Sequence, residues 1–272
     1  MRKALFLIAL LIAGCGHIPT LDEVILRPNP TITQTPADSG YQYEEITLPV
    51  ADDRSIVAWY IPSPQSKALV VLLPGSDANK GLYCEGIPVF NPFGYDILIA
   101  DYEGFGSSPG TRSLQACLDD AYALIDYAQT RHSKVFVFGV SVGTPLAIRV
   151  AADHDLAGIV LEGTFNAKRE AELWLKDNQL GFLPFWYIGN AYIYPQTPEG
   201  FDVLKYVQQV YEPKFFMHSP EDTVTPYDGA VEVFDAAPDP KDFWTMQGDH
   251  GRMIRLDPQE YIAHLIGWLD SH

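Results

Sequence analysis

The feature that most constrains the fold of this chain is an alternation beginning near residue 67. Short apolar runs recur there: "KALVVLL", "YDILIADY", "KVFVFG", "LAGIVLEG", "PKFFMHS" and "DFWTMQ". Helical stretches separate them, notably Ser113 to Thr130, Val142 to Ala152, Tyr227 to Ala236 and Asp257 to Ser271. The runs read as short buried strands. Strands that alternate with helices pair mostly in parallel, giving an α/β fold whose sheet is covered on both faces. Ahead of this region, "YEEITLPV" and "SIVAWYI" flank "ADDR" and predict an antiparallel hairpin. The chain has 272 residues, 47% of them hydrophobic, which is ample for a large core.

One interval breaks the rhythm. Between the strand ending near Glu162 and the one starting at Lys214 lie about fifty residues, more than a single crossover needs. They include Trp174, Phe182, Phe185, Trp186, Tyr187, Tyr192 and Tyr194. An aromatic insertion, about 165–205, is expected to cap a binding pocket, and an additional packed helix pair is the alternative.

The N-terminus carries a targeting pattern. Arg2 and Lys3 precede an apolar run from Ala4 to Ala13, too short to span a membrane, which marks residues 1–14 as a signal peptide. "IAGC", ending at Cys15, resembles the lipobox of bacterial lipoproteins, in which the cysteine is lipidated and becomes the mature N-terminus. The resemblance implies a membrane attachment through Cys15 and a cell-envelope location facing the periplasm. With Gly16 next, it implies the outer membrane if the source is Gram-negative. An ordinary cleaved signal is the alternative. Residues 15–40, with four prolines between His17 and Gly40, are expected to be a tether to a domain at 41–272. The net charge of −17 and the absence of a basic patch argue against nucleic acid as a partner. Beyond Cys15, Cys84 and Cys117 remain, either as one disulfide or as two buried thiols.

Two Gly-x-Ser-x-Gly pentads are present, "GVSVG" at Gly139–Gly143 and "GSSPG" at Gly106–Gly110. A nucleophile elbow requires a strand running into the serine and a helix leaving it. Ser141 meets this, with "KVFVF" before and "VGTPLAIRVAA" after. Ser108 does not, because its strand ends near Tyr102 and Pro109 follows directly. A serine hydroxyl also needs a base, and the base an orienting acid. Of the histidines after Ser141, only His250 sits in a loop after an expected strand and before the last helix. Asp222, 28 residues earlier at the carboxyl end of "KFFMH", is the expected acid, with Glu221 its neighbouring competitor. Asp249 is a poor orienter because it adjoins His250. The oxyanion of acyl transfer needs two N–H donors. Val142, at a helix N-terminus, is one, and Ser76, in the loop "PGSDANKG", is the other.

Together "GVSVG", "DYEGFGSSPGT", "EDTVTP" and "GDHG" resemble the α/β-hydrolase superfamily, most closely the group of protein depalmitoylases and monoglyceride lipase-like enzymes. The resemblance covers about residues 43 to 270. It implies the α/β-hydrolase fold and makes "DYEGFGSSPGT" a structural landmark after a strand. The chain departs from the family at Pro74-Gly75, where His-Gly is usual, and at Glu103, where Arg is usual.

The expected activity is hydrolysis of a carboxylic ester or thioester of a small-molecule or lipid-like acyl substrate, through an acyl-enzyme. An amide or peptide substrate is the enzymatic alternative, and a catalytically silent binding lipoprotein the alternative of another class. The histidines show no ligand-spaced cluster, so neither metal nor cofactor is expected.

Overall fold

Eight strands form one sheet in the computed structural model, which describes residues 20–51, 53–167, 197–251 and 253–272. The expected signal peptide, Cys15, and residues 168–196 of the expected cap with its seven named aromatics lie outside the described residues. The strands are β1 (Glu44–Pro49), β2 (Ser55–Ile61), β3 (Ala68–Leu73), β4 (Tyr95–Ala100), β5 (Val135–Val140), β6 (Gly158–Glu162), β7 (Lys214–His218) and β8 (Lys241–Thr245). Their order is β1-β2-β4-β3-β5-β6-β7-β8. The β1–β2 hairpin and the β2–β4 pair are antiparallel, and every other pairing is parallel.

The described helices are α1 (Leu21–Ile25), α2 (Ile87–Phe90), α3 (Leu114–Arg131), α4 (Gly143–Ala151), α5 (Val203–Val207), α6 (Tyr227–Ala236), α7 (Met253–Leu256) and α8 (Pro258–Ser271). Successive side chains of a strand point to opposite faces, so the apolar runs feed two cores. Leu69, Val71, Val135 and Val137 pack with α3 and α4 on one side. Val70, Leu72, Phe136 and Phe138 pack with Tyr261, Leu265 and Trp268 of α8 on the other. Every residue of β3 and β4 is buried, as strands covered on both faces require. Cys117 lies in the first core and Cys84 in the second. With the sheet between them, both are free buried thiols, which settles the disulfide question for this pair.

Residues 20–40, the second part of the expected tether, lie along the domain. Thr20 and Glu23 close a capping box on α1. The Asp22 carboxylate accepts the Leu114 N–H at 2.8 Å, and Leu26 is buried. The Asn79 side-chain amide donates to the carbonyls of Asn29 and Thr31 at 3.1 and 2.8 Å.

Candidate active site

β5 runs into Ser141 and α4 leaves two residues later. Ser141 has φ +52°, in the left-handed region that non-glycine residues avoid. Hydrogen bonds on both sides hold it there. Its N–H donates to the Glu162 carbonyl at 2.9 Å, and its carbonyl accepts the Thr144 N–H and hydroxyl at 2.9 and 2.7 Å. The pentad glycines are needed for close passage. A Cβ on Gly143 would stand 2.1 Å from the Leu73 carbonyl oxygen, and one on Gly139 2.5 Å from the Gly143 oxygen. The serine side chain is therefore presented at the carboxyl edge of the sheet, where parallel folds gather their sites.

The loops after β7 and β8 meet at that edge. His250 Nδ1 and Asp222 Oδ2 are 2.7 Å apart. Asp222 is held by several donors: the N–H groups of Val224 and Thr225 reach Oδ1 at 2.9 and 2.8 Å, and the Thr225 hydroxyl reaches Oδ2 at 2.8 Å. A Cβ on Gly163, the residue after β6, would stand 3.0 Å from His250 Cε1. The ring thus lies over the strand end whose Glu162 carbonyl binds Ser141. Ser141 Oγ makes no hydrogen bond among the described residues; catalytic hydrogen bonds commonly tighten only when substrate is present.

Burial opposes charge on both members of the pair, and their mutual hydrogen bond and attraction outweigh it. The His250 imidazole is shifted above its ordinary value, with the Glu162 carboxylate adding to the field. Asp222 is shifted below the usual carboxylate value. Glu162 itself is pushed up by burial and is steadied by the Tyr261 hydroxyl, 2.5 Å from its Oε2. An ionised Asp222 and an easily protonated His250 are the charge states that a proton-accepting imidazole needs.

The rival residues have structural duties. Ser108 Oγ donates to the Asp101 carbonyl at 2.6 Å and accepts the Val57 N–H at 2.9 Å, so it stitches the loop after β4 to β2. Glu221 accepts the Gly248 N–H at 2.9 Å, and Asp249 accepts from Thr223 and from the His250 N–H. His218 is buried, with Nδ1 accepting the Thr164 N–H at 3.1 Å and Nε2 donating to the Thr225 carbonyl at 3.0 Å. Burial pushes its imidazole down, which fits a neutral brace beneath Asp222. Glu103 pairs with Arg54 at 3.3 Å.

Val142 is the N-cap of α4, so its N–H has no place in the helical ladder. The loop after β3 lies against Ser141, since a Cβ on Gly75 would be 3.5 Å from the Ser141 Cβ. Ser76 follows immediately. Sequence reading missed Thr225, Thr144 and Glu162, whose hydrogen bonds hold Asp222 and Ser141 in place. Only Thr225, inside "EDTVTP", carried any signal. A groove of about 530 Å³ between the β1–β2 hairpin and α3, lined by residues such as Asp119, Tyr122 and Tyr127, contains none of Ser141, Asp222 or His250. Among the described residues no cluster of three or more metal-ligating side chains occurs, and no helix is long and apolar enough to cross a membrane.

Comparison with known proteins agrees with this fold. The solved esterase Pf2001 of Pyrococcus furiosus superposes with a TM-score of 0.74 at 19% identity, covering 91% of this chain and 98% of that one. The chain has the α/β-hydrolase fold. A family model described as serine aminopeptidase, S33, matches residues 64–184, the part of this α/β-hydrolase fold that carries Ser141. An uncharacterized membrane protein of Saccharomyces cerevisiae, YNL320W, is 33% identical over 143 residues, half of each chain. The lysophosphatidylserine lipase ABHD12 of Danio rerio is 27% identical over 196 residues, 66% of this chain and 50% of that one. The chain thus spans about half the length of these two relatives.

Proposed function

We propose that the chain is a serine hydrolase that cleaves acyl esters through a Ser141–His250–Asp222 triad. The observation that carries this reading is Ser141 held at φ +52° between β5 and α4, beside a 2.7 Å pair of the buried Asp222 and the part-buried His250. His250 Nε2 takes the hydroxyl proton as Ser141 Oγ attacks the acyl carbon. Asp222 fixes the tautomer through Nδ1–H and stabilises the imidazolium. The tetrahedral oxyanion is met by the N–H groups of Val142 and Ser76. Proton transfer from His250 releases the alcohol or thiol, and water, activated by the same ring, hydrolyses the acyl-enzyme.

The lipase and esterase names among the relatives support an ester substrate with an apolar acyl part. The description of the matching family favours a second reading, an amide or peptide substrate on the same triad. A panel of acyl esters, thioesters and aminoacyl amides, assayed with wild type and Ser141→Ala, separates them. Ser141-dependent turnover of esters or thioesters is expected to exceed that of amides. Turnover confined to aminoacyl amides would favour the second reading, and turnover that survives Ser141→Ala would reject both.

The reading includes lipidation at Cys15 and an envelope membrane as the place of action. Thr20, the N-cap of α1, is five residues from Cys15, and five residues can reach at most roughly 18 Å. A lipid anchor would therefore hold the domain close to the bilayer surface.

A further inference from the structure

The peptide between Gly75 and Ser76 carries the second proposed oxyanion donor, and both peptides flanking it are pinned. On its N-terminal side the Pro74 carbonyl accepts the Tyr102 hydroxyl at 3.2 Å, and the Gly75 N–H donates to the Tyr83 hydroxyl at 3.0 Å. On its C-terminal side the Ser76 carbonyl accepts the main-chain N–H of Arg27 at 2.8 Å. Arg27 belongs to the N-terminal segment, which is anchored on both sides of it. Leu26 is buried in the core before it, and the Asn29 carbonyl after it accepts from the Gly106 N–H at 3.1 Å and from Asn79. The Ser76 N–H makes no hydrogen bond among the described residues.

The orientation of a peptide plane is set by the torsions on either side of it. Gly75 lacks a Cβ and could turn this plane at little steric expense. It cannot do so here without breaking a bond on one side or the other. We propose that residues 20–31 form a strap which, together with Tyr83, holds the Gly75–Ser76 peptide with its N–H aimed beside Ser141. Arg27, through its main chain, and Tyr83 are positioning residues for the oxyanion. The inference rests on the serine-hydrolase reading and adds to it that a segment outside the sheet completes the catalytic geometry. It also ties the docking of residues 20–31 to the reaction rate.

Arg27→Pro deletes the N–H donor. Leu26, at φ −87° and ψ 121°, already has the extended backbone that precedes proline readily. Arg27→Ala keeps the N–H and is the matched reference. Tyr83→Phe removes the acceptor on the other side. The experiment measures kcat and KM of the full chain on a short-chain nitrophenyl ester, with circular dichroism to confirm folding. Loss of a whole oxyanion donor typically lowers kcat by 10²–10³-fold. A donor left in place but released should lower it by about 10-fold or more in Arg27→Pro relative to Arg27→Ala, and in Tyr83→Phe relative to wild type, with KM within about threefold. The proposal is overturned if the folded variants keep kcat within about twofold of their references, or if KM rises while kcat holds. Should Arg27→Pro not fold, Tyr83→Phe decides alone. If wild type hydrolyses no ester, or Ser141→Ala hydrolyses it equally well, the serine-hydrolase reading itself fails and takes this inference with it.

Discussion

At the scale of single residues, the proposed chemistry turns on a serine in a conformation that serines avoid. A left-handed L-residue costs about 1–2 kcal/mol, whereas glycine adopts the conformation freely but loses roughly 0.5–1 kcal/mol of chain entropy. Ser141→Gly should therefore be more stable than Ser141→Ala by about 0.5–1 kcal/mol in denaturant unfolding, although both lack the hydroxyl. Equal stabilities would mean that no strain is stored at φ +52°. His250 gives a second test. The base must be neutral, so kcat/KM should rise with pH through an apparent value above the ordinary histidine value of about 6.5. Burial alone would push the ring the other way; only the Asp222 carboxylate and its acidic neighbours reverse it. Asp222→Asn should thus move the acid limb to lower pH while lowering kcat by roughly 10⁴-fold. An acid limb left in place would contradict the 2.7 Å pairing as the source of the shift.

At the scale of elements, the elbow depends on how closely α4 passes β3. A Cβ at Gly143 would lie 2.1 Å from the Leu73 oxygen, so relief requires the strand or the helix to move. Gly143→Ala should cost about 1–3 kcal/mol or more in chemical unfolding, and a smaller loss would show that the helix can back away. The same elements show what could be read from residue order. The apolar runs that became β3 to β7 were legible because strands buried on both faces admit few polar residues, whereas β8, at the sheet edge, is only partly buried and its pattern is weaker. The long helices were legible by period, and Ser113 accepts the Ala116 N–H as the cap of α3. The α1 helix was missed although Thr20 and Glu23 have capping-box spacing, because prolines dominate the composition around them. Of the candidate site, the placement of Ser141 was readable from its strand-and-helix context, and the placement of Asp222 and His250 from their order and loops. Thr225, Thr144 and Glu162 were not. They act by hydrogen bonds between segments far apart in sequence, and nothing local to a threonine or glutamate announces such a partner.

At the scale of the whole molecule, charge and attachment make separate predictions. A net charge of −17 disfavours adsorption to anionic lipid surfaces, so any membrane association of this chain should require the lipid anchor. Expressed in a bacterium that processes lipoproteins, the wild type should partition into a detergent phase and Cys15→Ser into the aqueous phase. Equal partitioning would remove the lipidation proposal while leaving the α/β-hydrolase fold and its site unaffected. The comparisons establish the fold across most of the chain but, at 19% identity, leave the chemistry to the residues at the sheet edge. That chemistry has one direct test. A fluorophosphonate reacts with a serine hydroxyl only when a base and an oxyanion site activate it. Purified wild type should be labelled on the peptide containing Ser141, with Ser141→Ala unlabelled and His250→Ala labelled far more slowly. Wild type that stays unlabelled, or label that persists in Ser141→Ala, would contradict the account at its centre.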